Sequence, residues 1–227
     1  MGANRSGESV TDCASMPVSL TFDNGPSPGT TEGVLDALGT RGLKATFFVV
    51  GSMLQQPGGR DLAERAVAEG HWIGNHSMTH STPLGEAPDR TYAEREIEAT
   101  QALLGALAHE RRFFRPFGLG GLIGPHLLSA AAVDLLCDGG YTCVLWNSVP
   151  RDWEDPVGWV DTALADVERA DHTVVVLHDL PTGAMRALPA FLGELAARDI
   201  DVVQEFPLEV IPIARGVPGR LDGIVAA

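Results

Sequence analysis

The sequence predicts an α/β fold: a single-domain, deformed or incomplete (β/α) barrel of about seven units with parallel strands. Three observations predict it. Short apolar runs alternate with amphipathic stretches along the chain, without an internal repeat. The length, 227 residues, suits one barrel-sized domain, and 44% hydrophobic against 20% charged content suits a substantial core. Asp23, His76, Arg115, Asp152 and His178 all fall just after predicted strands. In a barrel of parallel strands that is the end where sites form.

Taken in order, residues 18–22 read as the first strand, followed by a helix at 30–38 that Gly42 closes. Residues 45–50 are β-branched and aromatic, as a buried strand requires. A helix at 60–69 takes Gly70 as its C-cap. Residues 71–74 form a short strand leading into a histidine pair, and 92–107 carry apolar residues at helical spacing. A short strand at 113–115 ends at Pro116. A helix at 127–136, a strand at 141–146 and a helix at 157–169 follow. The clearest buried strand is 173–177, then a helix at 184–197 and a last strand at 200–203. Residues 1–15 are polar, without the apolar centre of a secretory leader, and read as a disordered lead with Met16 an alternative start. The domain itself is 16–206. Residues 207–227, rich in proline and glycine, read as a tail packed on the surface.

A formal net charge of −14 and a pI of about 4.8 exclude nucleic acid and an anionic membrane as main partners, because both need a basic footprint. A small-molecule or oligosaccharide substrate fits better; the oligomeric state is open. No apolar stretch is long enough to span a bilayer. Cys13, Cys137 and Cys143 are odd in number and lack metal-finger spacing, which reads as reduced thiols in a cytoplasmic protein.

The chemistry concentrates in a few places. His76 and His80 lie four residues apart, close enough to put two imidazoles on one divalent metal. Asp23 closes the first strand and is a candidate general base; Asn24, next to it, offers an amide oxygen as a third ligand. His178 closes the strand at 173–177 and is a candidate acid for a departing amine. Asp152 is a better partner for it than the adjacent Asp179, because Asp152 follows a strand of its own. Arg115, before Pro116-Phe117-Gly118, can orient Asp23, and the backbone N–H near Phe117 can serve as an oxyanion donor. Trp153 can wall the pocket or stack on a sugar face, and Phe117 and Leu177 are expected at the substrate. Trp72, Trp146 and Trp159 are assigned to core packing. Plainer readings stand beside these: a strand-end turn at Asn24-Gly25-Pro26, a surface loop for the histidines, a backbone-satisfied core residue for His178 and a turn arginine for Arg115.

At these residues the sequence resembles the polysaccharide deacetylase (NodB-homology) family, carbohydrate esterase family four. The resemblance runs over residues 20–180 in the family's motif order. It comprises Thr21-Phe22-Asp23-Asn24-Gly25-Pro26, His76 to His80 with its serine at Ser77, Arg115-Pro116-Phe117-Gly118, Asp152-Trp153 and Val176-Leu177-His178. The resemblance implies a deformed (β/α) barrel and a divalent metal, zinc or cobalt. It implies Asp23 as base, His178 as acid, and His76 and His80 as ligands. Arg115 would then position the base and Asp152 tune the acid. Three departures are visible. Asn24 stands where the family has a second aspartate, the third ligand, and a neutral ligand should lower metal affinity. The arginine motif is one residue shorter. Val149 stands where the fourth motif begins with aspartate, making the pocket more apolar. Asn24 has three open origins: a native residue, an introduced substitution, or a residue that deamidates, as Asn-Gly pairs do, to regain a carboxylate.

These readings converge on a metal-dependent hydrolase of a linear amide, an N-deacetylase of an acetylated amino sugar or small intracellular amide. An amidohydrolase of a cyclic imide or ureide with little metal need, and a non-catalytic binding module, are the alternatives.

Overall fold

The structure, a computed structural model, describes residues 16–87 and 89–227. The lead expected at 1–15, with Cys13, lies outside the described residues. The strands are β1 Val18–Asp23, β2 Thr46–Val49, β3 Trp72–Asn75, β4 Phe113–Phe114, β5 Thr142–Cys143, β6 Thr173–His178, β7 Val202–Val203, β8 Ile213–Ala214 and β9 Val217–Pro218. The helices are α1 Thr31–Thr40, α2 Gly51–Leu54, α3 Gly59–Ala68, α4 Arg90–Leu104, α5 Ala130–Asp138, α6 Trp159–Val167 and α7 Leu188–Ala197.

The sheet runs β6-β1-β2-β3-β4-β5-β8-β9, with β7 added to β1 beside β2. Strands β1 to β6 pair in parallel, and β8 turns antiparallel against β5. Between β5 and β6 the ladder shrinks to one bridge, Ser148 to Val175, so the barrel is incomplete there. It is a mixed sheet closing a half-barrel, with the helices outside.

Local sequence explains most elements. In β1 the period of two splits cleanly: Val18, Leu20 and Phe22 join the core under the helices, while Ser19, Thr21 and Asp23 take the other face. Helix α1 buries Val34, Leu35 and Leu38 on one stripe, and Gly42, at φ 66°, ends its C-terminal turn. Helix α4 starts at the Asp89 cap, whose carboxylate accepts from the Thr91 N–H at 3.1 Å. Ser129 caps α5 in the same way, accepting from Ala132 N–H at 3.2 Å.

Two expectations shift. The strand expected over 141–146 is regular only at Thr142–Cys143. Beyond it, the carbonyls of Val144 and Leu145 both accept from the Arg115 guanidinium, and consecutive carbonyls of a strand cannot point the same way. The segment 207–227 also does more than cover the surface. Ile213 pairs with Cys143, Val210 takes the Leu145 N–H, and Val210, Ile213 and Ile224 are buried in the second core cluster.

The register sets the site. Asp23 lies level with His178 across β1 and β6, and Asn75 lies level with Val49 and Phe114. The residues that leave these strand ends therefore meet at one rim.

Candidate active site

A cavity of about 320 Å³ opens at that rim. Asp23, Asn24, His76, His80 and His178 line it together with the apolar Trp146, Val149, Val176 and Leu180, and Phe117 and Trp153 are also in its wall.

Arg115 organises the floor. Its side chain is fully buried, and one guanidinium nitrogen donates to Thr21 Oγ1 at 2.6 Å and Asp23 Oδ1 at 2.8 Å. Nε and Nη2 donate to the carbonyls of Val144 and Leu145. The guanidinium also lies over the Phe48 ring at 4.0 Å. Burial draws its pKa below the ordinary guanidinium value, and the Asp23 carboxylate opposes that. The shortened arginine motif thus still delivers the side chain to Asp23.

His76 is buried, and its Nδ1 lies 2.9 Å from the Arg115 carbonyl. A carbonyl only accepts, so Nδ1 carries the hydrogen and Nε2 keeps its lone pair. That lone pair faces Asp23 Oδ2 at 3.6 Å. Burial lowers the pKa of His76 to about 3, and the same cause, with His76 beside it, lowers that of His80 to about 3. Both imidazoles are therefore neutral near pH 7. Their rings are 4.7 Å apart, and Phe117 packs on His80 with ring centres 3.9 Å apart.

These residues fit a divalent cation. Acceptor faces acceptor between His76 and Asp23, which suits a positive charge. Asn24 lines the same cavity, and its buried Oδ1 lacks a hydrogen-bond partner. Its backbone is left-handed, φ 73°, which asparagine tolerates better than most residues. Among the described residues no three His, Cys, Asp or Glu side chains form a metal-binding group; the Asn24 amide oxygen is a neutral donor that could join His76 and His80 on a cation. Neutral imidazoles with an oxygen suit zinc, cobalt and similar ions.

On the neighbouring strand, His178 Nδ1 lies 2.8 Å from Asp152 Oδ1, and its backbone N–H donates to Asp152 Oδ2 at 3.0 Å. Burial disfavours the charged ring, but the Asp152 hydrogen bond and charge prevail and raise the His178 pKa above the ordinary imidazole value. Trp153 meets the His178 ring edge-on at 4.8 Å. Asp179 points away, taking the Thr31 hydroxyl at 2.5 Å beneath the Asn24-Gly25 turn. A side chain at Gly25 would collide with that carboxylate, which accounts for glycine there.

One expected site residue is misplaced. Leu177, expected at the substrate, is fully buried in the core cluster under the helices and does not line the cavity. Alternation explains it: His178 faces inward, so Val176 does too and Leu177 faces out. Trp146, assigned to the core, packs in the second core cluster and also lines the cavity, with Nε1 donating to the Gly121 carbonyl at 2.9 Å. Gly121, at φ 84°, presses its bare Cα toward Val149, where a Cβ would come within 2.6 Å. Val176 was legible from alternation; Trp146 carried no local signal.

Residues 12–121 match the model of the family described as polysaccharide deacetylase. The chitooligosaccharide deacetylase of Sinorhizobium fredii (strain NBRC 101917 / NGR234) is 36% identical over 167 residues, 71% of each chain. The family 4 carbohydrate esterase from Streptomyces lividans, solved in complex with acetate, superposes with a TM-score of 0.69 at 28% identity, over 87% of this chain and 97% of that one. The family 4 acetyl xylan esterase from Clostridium thermocellum, solved with a cobalt ion, gives 0.65 at 30% identity, over 82% and 86%. With its motifs gathered on one rim of the matching fold, this chain belongs to the polysaccharide deacetylase family, carbohydrate esterase family four, and is a hydrolase of the deacetylase class.

Proposed function

We propose that the chain is a metal-assisted N-deacetylase of an acetylated amino sugar or small acetamide. The observation that carries this reading is the level pairing of Asp23 and His178 at one cavity, each with its own orienting partner. Arg115 engages Asp23 Oδ1, which leaves Oδ2 toward the cavity to take a proton from the attacking water. Asp152 accepts from His178 Nδ1, which leaves Nε2 to give a proton to the departing amine. The backbone N–H near Phe117 donates to the developing oxyanion. His76, His80 and Asn24 would hold a divalent cation, zinc or cobalt, which when bound supplies Lewis-acid polarisation of the carbonyl and acidifies water. Two names among the comparisons support the reading: a chitooligosaccharide deacetylase supports the acetylated glucosamine, and the cobalt ion of the acetyl xylan esterase supports the cation. The apolar wall at Val149 and Val176 favours a short substrate over a long polymer. We place the protein in the cytoplasm on its free thiols Cys137 and Cys143, and cell fractionation tests that.

The test is acetate release from chitooligosaccharides and from small acetamides, run beside elemental analysis. The parent releases acetate, exhaustive chelation stops it, and zinc or cobalt restores it. Asp23→Ala abolishes release with metal content nearly unchanged. Release that persists in Asp23→Ala defeats the base assignment, and release that persists after chelation defeats the metal.

A further inference from the structure

Inside the His76–His80 loop one hydrogen bond, His80 N–H to Ser77 Oγ at 3.2 Å, spans the turn; the other ties run outward. Ser77 and His80 both sit at left-handed backbone angles, φ 68° and 51°, which side-chain-bearing residues disfavour. Between them, the N–H groups of Met78 and Thr79 point out of the loop into helix α4. There they meet Glu96. Its Oε2 accepts from Met78 N–H at 3.0 Å and from Thr79 N–H at 2.8 Å, and its Oε1 accepts from the Thr79 hydroxyl at 2.9 Å. Glu96 is 1% exposed, and among the described residues no arginine, lysine or histidine forms a salt bridge with it. A buried carboxylate without a counter-ion is costly unless donors surround it, and all three donors here come from the loop. The next residue of the helix adds a second tie. The Ile97 carbonyl accepts from Asn75 Nδ2 at 2.8 Å, and Asn75 Oδ1 in turn accepts from Ser77 N–H at 2.9 Å. One turn of α4 therefore grips the loop at both ends of its irregular stretch.

We propose that Glu96 is a positioning residue that sets the mutual placement of the His76 and His80 imidazoles, and so the affinity of the site for a divalent cation. The inference rests on the metal reading above. Glu96 touches neither imidazole; it acts through the backbone of Met78 and Thr79, whose rotation would swing His80 away from His76. Leucine at 96 would remove the acceptors and leave two N–H groups unpaired in the interior. Glutamine would keep one oxygen for both N–H groups and turn its amide toward the Thr79 hydroxyl, which can accept. The role thus predicts a graded series that general destabilisation does not.

The test measures the affinity of the whole chain for zinc, by competition with a chromophoric chelator, and the visible spectrum with cobalt bound. Circular dichroism at the same temperature verifies folding. Glu96→Leu is expected to bind zinc about 10–100-fold more weakly, with an altered cobalt spectrum, and Glu96→Gln to recover most of that loss. Ile97→Val, a core trim on the same turn, is expected to lower Tm while keeping the parent affinity and spectrum. If Glu96→Leu does not fold, Glu96→Asp, which draws the carboxylate back by one methylene, carries the same expectation. Parental affinity in Glu96→Leu or Glu96→Asp overturns the proposal, as does a loss in Ile97→Val that tracks Tm in the same way. A parent chain that binds neither ion overturns the metal reading itself, a result distinct from either.

Discussion

Asp23 and Arg115 form an ion pair at 2.8 Å with both side chains inside the barrel, although 92 residues separate them in the chain. Both are nearly inaccessible to water, so each charge depends on the other and on Thr21, Val144 and Leu145. Arg115→Met should strand the Asp23 carboxylate and cost about 3–5 kcal/mol of stability. Arg115→Lys keeps a charge but loses the fork to the two carbonyls, and should retain part of the stability with little activity. Urea denaturation and acetate release check both; a Met variant as stable as the parent would contradict the pairing.

The His178–Asp152 pair makes a pH prediction. The His178 pKa is raised in the fold, so its charged form is favoured there. Stability from this contact is fully present below the unfolded value, near 6.5, and is lost as pH rises through the raised folded value. An acid at this position also loses its proton on that alkaline side. Turnover should therefore fall there, and Asp152→Asn should move the fall toward lower pH. The same change should reduce turnover by about 10²–10⁴-fold. An alkaline limb unmoved by Asp152→Asn would remove His178 from the role of acid.

Asp179 makes the opposite case. Burial raises its pKa to about 6 from the ordinary 3.8, and its Oδ1 lacks a partner. The folded state then holds this proton more tightly than the unfolded chain. Stability from this group is present below the unfolded value and declines as pH rises from about 4 to about 6. Two pKa units correspond to about 3 kcal/mol. Asp179→Asn, which can still accept from Thr31, should match the parent near pH 4 and exceed its stability by up to about 3 kcal/mol near pH 7. Melting curves at the two pH values decide it.

Val176 and Leu177 separate substrate contact from packing. Leu177→Ala should cost about 2–5 kcal/mol of stability and leave KM close to the parent's. Val176→Phe adds a ring on the cavity side, and should raise KM about tenfold or more. The reverse pattern would return Leu177 to the site.

Much of this was legible from residue order because it is local. Alternation with Gly and Pro punctuation marks strands and helices, and the segments carrying Asp23, the histidine pair and His178 follow them directly. The same alternation, counted inward from His178, exposes Leu177 as an outward residue. Other features are silent in the chain. Glu96 sits between Glu94 and Glu98 on a charged helix and has no mark of its own until the loop folds onto it. Strand β8 is two residues long and takes its place from its partners, β5 on one edge and β9 on the other.

The sequence by itself determined the α/β class, the order of the units and the candidate side chains of the site, because hydrophobic period and side-chain chemistry are properties of neighbours. Tertiary structure alone decided that Asp23 stands level with His178, that Arg115 reaches Asp23 despite a shortened motif, and that Val176 rather than Leu177 faces the cavity. Those outcomes depend on strand register and burial, which arise only when segments distant in the chain exclude water together.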